Sequence, residues 1–176
     1  MITFTPDSDS ACTVKGDSIT FALFPKEAVK GKYALLSHPE EVMTDEKTVS
    51  WPGEYDFENM TLRGIGQGAG KQVSYTASID GIRCGFVDMP LMDWTDAELQ
   101  LMGDVDVLVV RADDQKKAVA LVESIDPRVV VLVPTKDIDA PAVAKACGAK
   151  DTQIVSEFKA KAGSLPSDSR QVVILK

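Results

Sequence analysis

Up to Asp88 the apolar residues of this chain recur at every second position. Beyond it they fall into helical and buried-strand patterns. Period two places side chains on alternate faces of a strand, whereas period 3.6 stacks them on one face of a helix, so the fold must join a strand-rich part to an alternating one. In the first part Ile2 to Thr5, Ala11 to Val14 and Ser18 to Phe24 read as a meander, with Ile19, Phe21 and Leu23 on one face. Tyr33 to Leu36 is a brief apolar strand that Pro39 and the acids Glu40 and Glu41 bring to an end. Thr48 to Trp51, Tyr55 to Phe57 and Met60 to Ile65 form a second set around the Pro52-Gly53 turn. The stretch from Gly64 to Gly70 reads as a flexible loop. Val73 to Ile79 and Ile82 to Val87, joined by Asp80-Gly81, give the clearest hairpin signal. All of this β content is expected to be antiparallel.

After Asp88, Thr95 and Glu98 form a capping box for a short helix through Met102, stopped by Gly103. Val105 to Val110 is an apolar strand, Gln115 to Ile125 an amphipathic helix ended before Pro127, and Val129 to Val133 a second apolar strand. That sequence of elements is a βαβ unit with a buried parallel pair. Asp139 is placed to cap a helix through Ala146, and Gln171 to Leu175 is a last strand. The order predicts an α/β sandwich whose sheets are covered by helices. At 176 residues the chain suits a single domain over 1–176, with a β-rich half over roughly 1–75 and an α/β half over roughly 76–176.

The net charge of −8 sets up a field that repels phosphate backbones and anionic headgroups, so neither nucleic acid nor a membrane surface is an expected partner. No window reaches the roughly 18 apolar residues of a membrane span, and no basic-then-apolar leader opens the chain; cytoplasm is the expectation. Cys12, Cys84 and Cys147 are scattered among apolar or small neighbours and read as buried free thiols.

Several segments resemble one family. Val49 to Asp56 (VSWPGEYD) followed by Met60 to Ile65 (MTLRGI) is similar to the "GPGEY…v.i.GI" segment of small bacterial metallo-β-lactamase-fold proteins, in their ascorbate-phosphate-lactonase-like branch. Ile79 to Asp88 resembles that family's "DG.ri.h.GD" strand, Gly103 to Val110 its "g.vDvLl.p" strand, and Asp126 to Val131 its ".Pk.vip.H" strand. Ser10-Ala11-Cys12 resembles an "HSc" strand, and Leu165 to Leu175 the usual ending. The resemblance implies an αββα sandwich in one compact domain of two pseudo-repeated halves. It also implies a metal-dependent hydrolase, whose zinc ions are held by an H-x-H-x-D-H loop, a later histidine, an aspartate after a glycine, and a last histidine at a strand end.

Laid on that pattern, Leu36 to Glu41 keeps one histidine. His38 matches the second of the loop, Leu36 stands where the first belongs, Glu40 where the aspartate belongs, and Glu41 where the final histidine belongs. Gly66 to Gly68 supply no later histidine, Asp88 matches the bridging aspartate with Val87 before it, and Pro134 falls where the last histidine would be. His38, Glu40, Glu41 and Asp88 are therefore the candidate metal residues. The count supports the mapping: one histidine and three scattered cysteines cannot build two nitrogen- and sulfur-rich zinc sites.

Two functions compete. The first is a non-catalytic binding or assembly module that has lost its zinc, with no cofactor and with a protein or small molecule as partner. The second is a hydrolase with a rebuilt mononuclear, oxygen-rich site in which His38, Glu40, Glu41 and Asp88 weakly hold one divalent ion. A sensor that uses the old cleft as a small-molecule pocket is a third reading. Leu91, Met92 and Trp94 leave a homo-oligomer open, as they either cover a partner surface or pack inward. Glu54, Tyr55 and Asp56 read as strand residues. The glycine stretch lacks both ends of a P-loop, with Ile65 at its first glycine and Gln72 in place of Ser or Thr.

Overall fold

The computed structural model describes residues 1–27, 30–42, 45–57 and 60–176. The strand-rich part forms β1 (Ile2–Pro6), β2 (Cys12–Lys15), β3 (Thr20–Leu23), β4 (Tyr33–Leu35), β5 (Thr48–Val49), β6 (Gly53–Phe57), β7 (Met60–Gln67), β8 (Gln72–Ile79) and β9 (Ile82–Val87). Then follow α1 (Asp96–Met102), β10 (Val107–Ala112), α2 (Gln115–Ile125), β11 (Val129–Pro134), α3 (Ala140–Ala146), β12 (Gln153–Val155), β13 (Phe158–Ala160) and β14 (Gln171–Leu175). They build two sheets, ordered β13-β1-β2-β3-β4-β5 and β12-β14-β11-β10-β9-β8-β7-β6.

Alternation explains how the sheets stack. Phe4, Val14, Phe21 and Leu35 of the smaller sheet bury against Tyr75, Phe86, Val109 and Val131 of the larger one. Phe21 meets Phe86 edge to face with centroids 5.8 Å apart, a favoured quadrupole arrangement. The opposite face of the larger sheet carries Leu108, Val110, Val130 and Ile174, which pack with Leu121 and Val122 of α2 and Val143 and Ala144 of α3. The caps read at Thr95 with Glu98 and at Asp139 are present, the Asp139 carboxylate accepting the Ala142 N–H, and Asp114, not singled out in the sequence, caps the helix between them by accepting the Lys117 N–H.

The α/β sandwich expected from the sequence is present, with its described helices over the outer face of the larger sheet. The outer face of the smaller sheet carries Thr3, Thr5, Thr13, Lys15 and Thr20, partly or fully exposed. Polar side chains at these positions suit a face turned to water. Among the described residues no helix is long and apolar enough to cross a membrane.

Three expectations need correction. The strand-rich part is not wholly antiparallel: β3 pairs with β4, and β4 with β5, in parallel. Strands that run the same way cannot be joined by a tight hairpin turn. The Asp80-Gly81 turn behaves as read, since both residues take the positive φ (49° and 75°) that a two-residue hairpin demands.

Secondly, the loop read from Gly64 to Gly70 begins only at Gly68, because β7 continues to Gln67 and pairs with β8 along its whole length, leaving Gly68 to Lys71 as the turn. Glycine is needed there for space. A Cβ on Gly64 would lie 2.7 Å from the Trp51 carbonyl oxygen, and one on Gly66 2.8 Å from Pro52 Cγ. The Trp51-Pro52 backbone thus lies directly on β7.

Thirdly, the strand read as Val105 to Val110 begins at Val107 and runs to Ala112, which carries Arg111 into the sheet. β12 and β13 were not foreseen at all. Each has three residues, too few to show a period.

One side chain ties the end of β4 to the larger sheet. The buried Tyr75 hydroxyl lies 2.5 Å from the Leu36 carbonyl oxygen and 3.0 Å from that of Val49. The Val49 oxygen also accepts the Leu36 N–H, so Leu36 is the carbonyl left without a partner if the hydroxyl goes. Tyr75→Phe is expected to lower the unfolding free energy by roughly 1–2 kcal/mol in urea unfolding, the usual cost of an unmade buried hydrogen bond. No loss of stability would mean that the Leu36 carbonyl finds water instead.

Candidate functional site

The parallel strands β9, β10, β11 and β14 all end at the same edge of the larger sheet, and Asp88 follows β9 there. Val87 pairs with Val110, so the residues after them, Asp88 and Arg111, stand side by side. Phe86 and Val109 face the space between the sheets, and two residues along each strand Asp88 and Arg111 face the same way. Arg111 Nη1 lies 3.4 Å from Asp88 Oδ1, with Asp88 almost completely buried and the Arg111 side chain 28% exposed.

Burial is the main influence on Asp88 and pushes its pKa up, since it disfavours the charged form. The Ser37 hydroxyl, the Arg111 guanidinium and the Met89 N–H pull in the other direction without cancelling it. Around the pair lies a layer of buried polar groups. Gln72 Nε2 donates to the Asp88 carbonyl at 2.9 Å, and the Ser74 hydroxyl donates to Gln67 Oε1 at 2.6 Å. Gln67 and Gln72 are direct cross-strand partners, and Gln67 Nε2 and Gln72 Oε1, a donor and an acceptor, are both buried without a partner among the described residues.

The other three candidate metal residues lie apart from this layer. His38 and Glu41 are exposed and Glu40 is half-buried. Their loop is fastened to the start of the second strand set: the Glu40 N–H donates to the Ser50 hydroxyl at 3.3 Å, and the Trp51 indole N–H donates to the Glu40 carbonyl at 2.9 Å. Ser37 is the residue of this segment that reaches Asp88. Among the described residues no three His, Cys, Asp or Glu side chains come together where they could hold a metal ion.

The donor set explains why a zinc or a harder ion does not fit beside Asp88. Its neighbours are a guanidinium, which cannot ligate and repels a cation, and neutral amides and hydroxyls. Arg111 already supplies the positive charge that a bridging carboxylate would otherwise draw from a metal. Arg111, Gln67 and Gln72 were not singled out in the sequence as site residues. The one available signal was a lone arginine at the end of the apolar run VLVVRA.

Next to the pair the strand ends open into a cleft of about 910 Å³, lined among others by Met89, Arg111, Val133, Pro134 and Ile174 and by Pro6, Asp7, Ser8, Ser10 and Ala11. Clefts at the carboxyl ends of parallel strands are the usual ligand sites of open α/β sheets.

No protein-family model matches the sequence, and no curated protein does. Solved structures do. A candidate zinc-dependent hydrolase of the metallo-β-lactamase superfamily from Thermotoga maritima superposes with a TM-score of 0.73 at 16% identity, over 99% of this chain and 98% of that one. The chain has the metallo-β-lactamase fold. A candidate metal-dependent hydrolase from Parabacteroides distasonis follows at TM-score 0.62 and 12% identity, covering 99% and 94% of the two chains. The metallo-β-lactamase-fold protein YhfI from Bacillus subtilis matches at 0.60 and 10% identity, over 100% and 97%.

Within this metallo-β-lactamase fold the remaining residues noted in the sequence have structural places. Glu54 pairs with Arg63 at 2.7 Å on the surface of β6 and β7, and the Tyr55 hydroxyl donates to the Trp51 carbonyl at 2.9 Å. The three cysteines are buried and free. Burial pushes Cys12 up to about 12 and Cys147 to about 11, and raises Cys84 further still, so all three are neutral thiols. Leu91 is buried and Trp94 packs partly against the helix-side core. Met92 covers the Gly68 turn, its Cε 2.9 Å from where a Cβ would stand.

Proposed function

We propose that this chain is a non-catalytic, cytoplasmic member of the lactonase-like branch of the metallo-β-lactamase fold, a binding module whose metal site has been replaced by the Asp88–Arg111 pair. The observation that carries the reading is the guanidinium 3.4 Å from the one buried carboxylate that matches the family's bridging aspartate. A fixed organic cation there neutralises the carboxylate but offers no open position and no activated water, the two features a hydrolytic metal provides. With a net charge of −8, the partner is a protein or a small molecule and not nucleic acid.

Metal content by mass spectrometry on protein purified without chelator, followed by zinc and manganese titration, tests this directly. Expected are less than about a tenth of an equivalent bound, no site tighter than roughly 100 μM, and no change in Tm on adding EDTA. One tightly held ion that is lost on His38→Ala would overturn the reading in favour of a rebuilt hydrolase, since His38 is exposed and its replacement leaves the core alone.

A further inference from the structure

The cleft beside Arg111 combines apolar walls with the incompletely used Arg111 cation, and Lys136 and Lys176, both exposed, line it too. A guanidinium carries five N–H donors, and among the described residues the Arg111 side chain has a single hydrogen-bond partner, Asp88 Oδ1. More than a quarter of the side chain, 28%, stays open. Two acids of the cleft lining are already engaged. Asp7 accepts the Asp9 N–H at 3.0 Å and the Thr13 hydroxyl at 3.2 Å, and Asp139 caps α3. Asp137 and Lys136 are exposed at the rim.

We propose that this cleft binds a small carboxylic acid with an apolar body, the carboxylate on the free N–H groups of Arg111 and the body along Val133, Pro134 and Ile174. The inference rests on the reading of Asp88 and Arg111 as a metal-free pair. The planar fork of arginine matches a carboxylate bidentately. Because Asp88 already offsets part of the charge, the anchor suits a monoanion over a dianion such as phosphate. The volume of about 910 Å³ and a lining that mixes apolar residues with polar ones such as Ser10, Thr135 and Arg111 suit a small-molecule pocket.

The test is calorimetric titration of the full chain with octanoate, phenylacetate, octanamide and inorganic phosphate, before and after EDTA treatment. Octanoate or phenylacetate is expected to bind with a Kd below roughly 1 mM, and octanamide and phosphate about tenfold more weakly or not at all. Arg111→Gln is expected to weaken carboxylate binding by about tenfold or more. Asp88→Asn, nearly isosteric, frees the fork and is expected to tighten it, an effect opposite in sign to general damage and readable if Arg111→Gln does not fold. Absence of carboxylate binding up to roughly 10 mM, equal binding of octanamide or phosphate, or binding unchanged in Arg111→Gln overturns the inference. The chelator arm separates the two readings. Binding that disappears with EDTA and returns with zinc overturns both, whereas metal-free protein that binds neither carboxylate overturns this inference alone.

Discussion

Arg111→Met is expected to lower the unfolding free energy by roughly 3 kcal/mol at neutral pH, because removing one partner of a buried pair leaves the other charge uncompensated. The loss should depend on pH, and its sign follows from Asp88. Burial raises the folded-state pKa of this carboxyl above its ordinary 3.8. The folded protein therefore holds the proton at pH values where the unfolded chain has released it, and the group's favourable contribution, complete below the unfolded value, is lost as pH rises through the folded one. Arg111 pulls the folded value down, so its removal widens that window upward. Arg111→Met should lie close to the parent at about pH 4 and fall progressively behind it towards pH 7. Urea unfolding at several pH values reads this out, and Asp88→Asn in the Arg111→Met background should remove the extra slope. An equal deficit at every pH would show that Arg111 contributes packing alone, and would take away the support for a charge pair in place of a metal.

Asp88 could be found from the sequence because it ends a strand whose pattern, IDGIRCGFVD, is local. Arg111 could not. Its meaning comes from the parallel register that sets Val110 against Val87, a pairing made across α1 and therefore absent from any window of the sequence. The same distinction holds for the fold. Helices with local caps, such as Thr95 with Glu98 and Asp114 with Lys117, begin where the sequence places them. β13, whose partner is β1 at the other end of the chain, left no local trace. Gln67 was hidden by its glycine neighbours: the segment Gly64 to Gly70, read as a loop, holds a buried amide paired across the ladder with the equally buried Gln72 just beyond it. The single histidine could be counted, but the neighbours of Asp88 depend on tertiary structure.

The glycine stretch supports the second large prediction. Gly64→Ala should cost roughly 2–3 kcal/mol, in the range of an overpacked core, because the new Cβ would sit 2.7 Å from the Trp51 carbonyl oxygen, 3.2 Å from Pro52 Cα and 3.3 Å from Tyr75 Cε1. Two of these atoms are backbone and cannot rotate away. The Trp51 oxygen is also held by the Tyr55 hydroxyl at 2.9 Å, so relief by moving the turn loses that hydrogen bond as well. Gly163 has no atom within 4 Å of its added Cβ and no positive φ, and Gly163→Ala is expected to be neutral or slightly stabilising. If the stretch were a flexible loop the two substitutions would behave alike. The effect should reach the candidate site's neighbour, because the Trp51 indole fastens the Glu40 carbonyl. Displacing Trp51 in Gly64→Ala should loosen the loop that carries His38, visible as a shift in tryptophan emission under native conditions and as faster amide exchange from His38 to Glu41. A variant with parent-like stability would show that the Trp51-Pro52 turn can lift off β7 at little cost, and that the glycines serve motion and not contact.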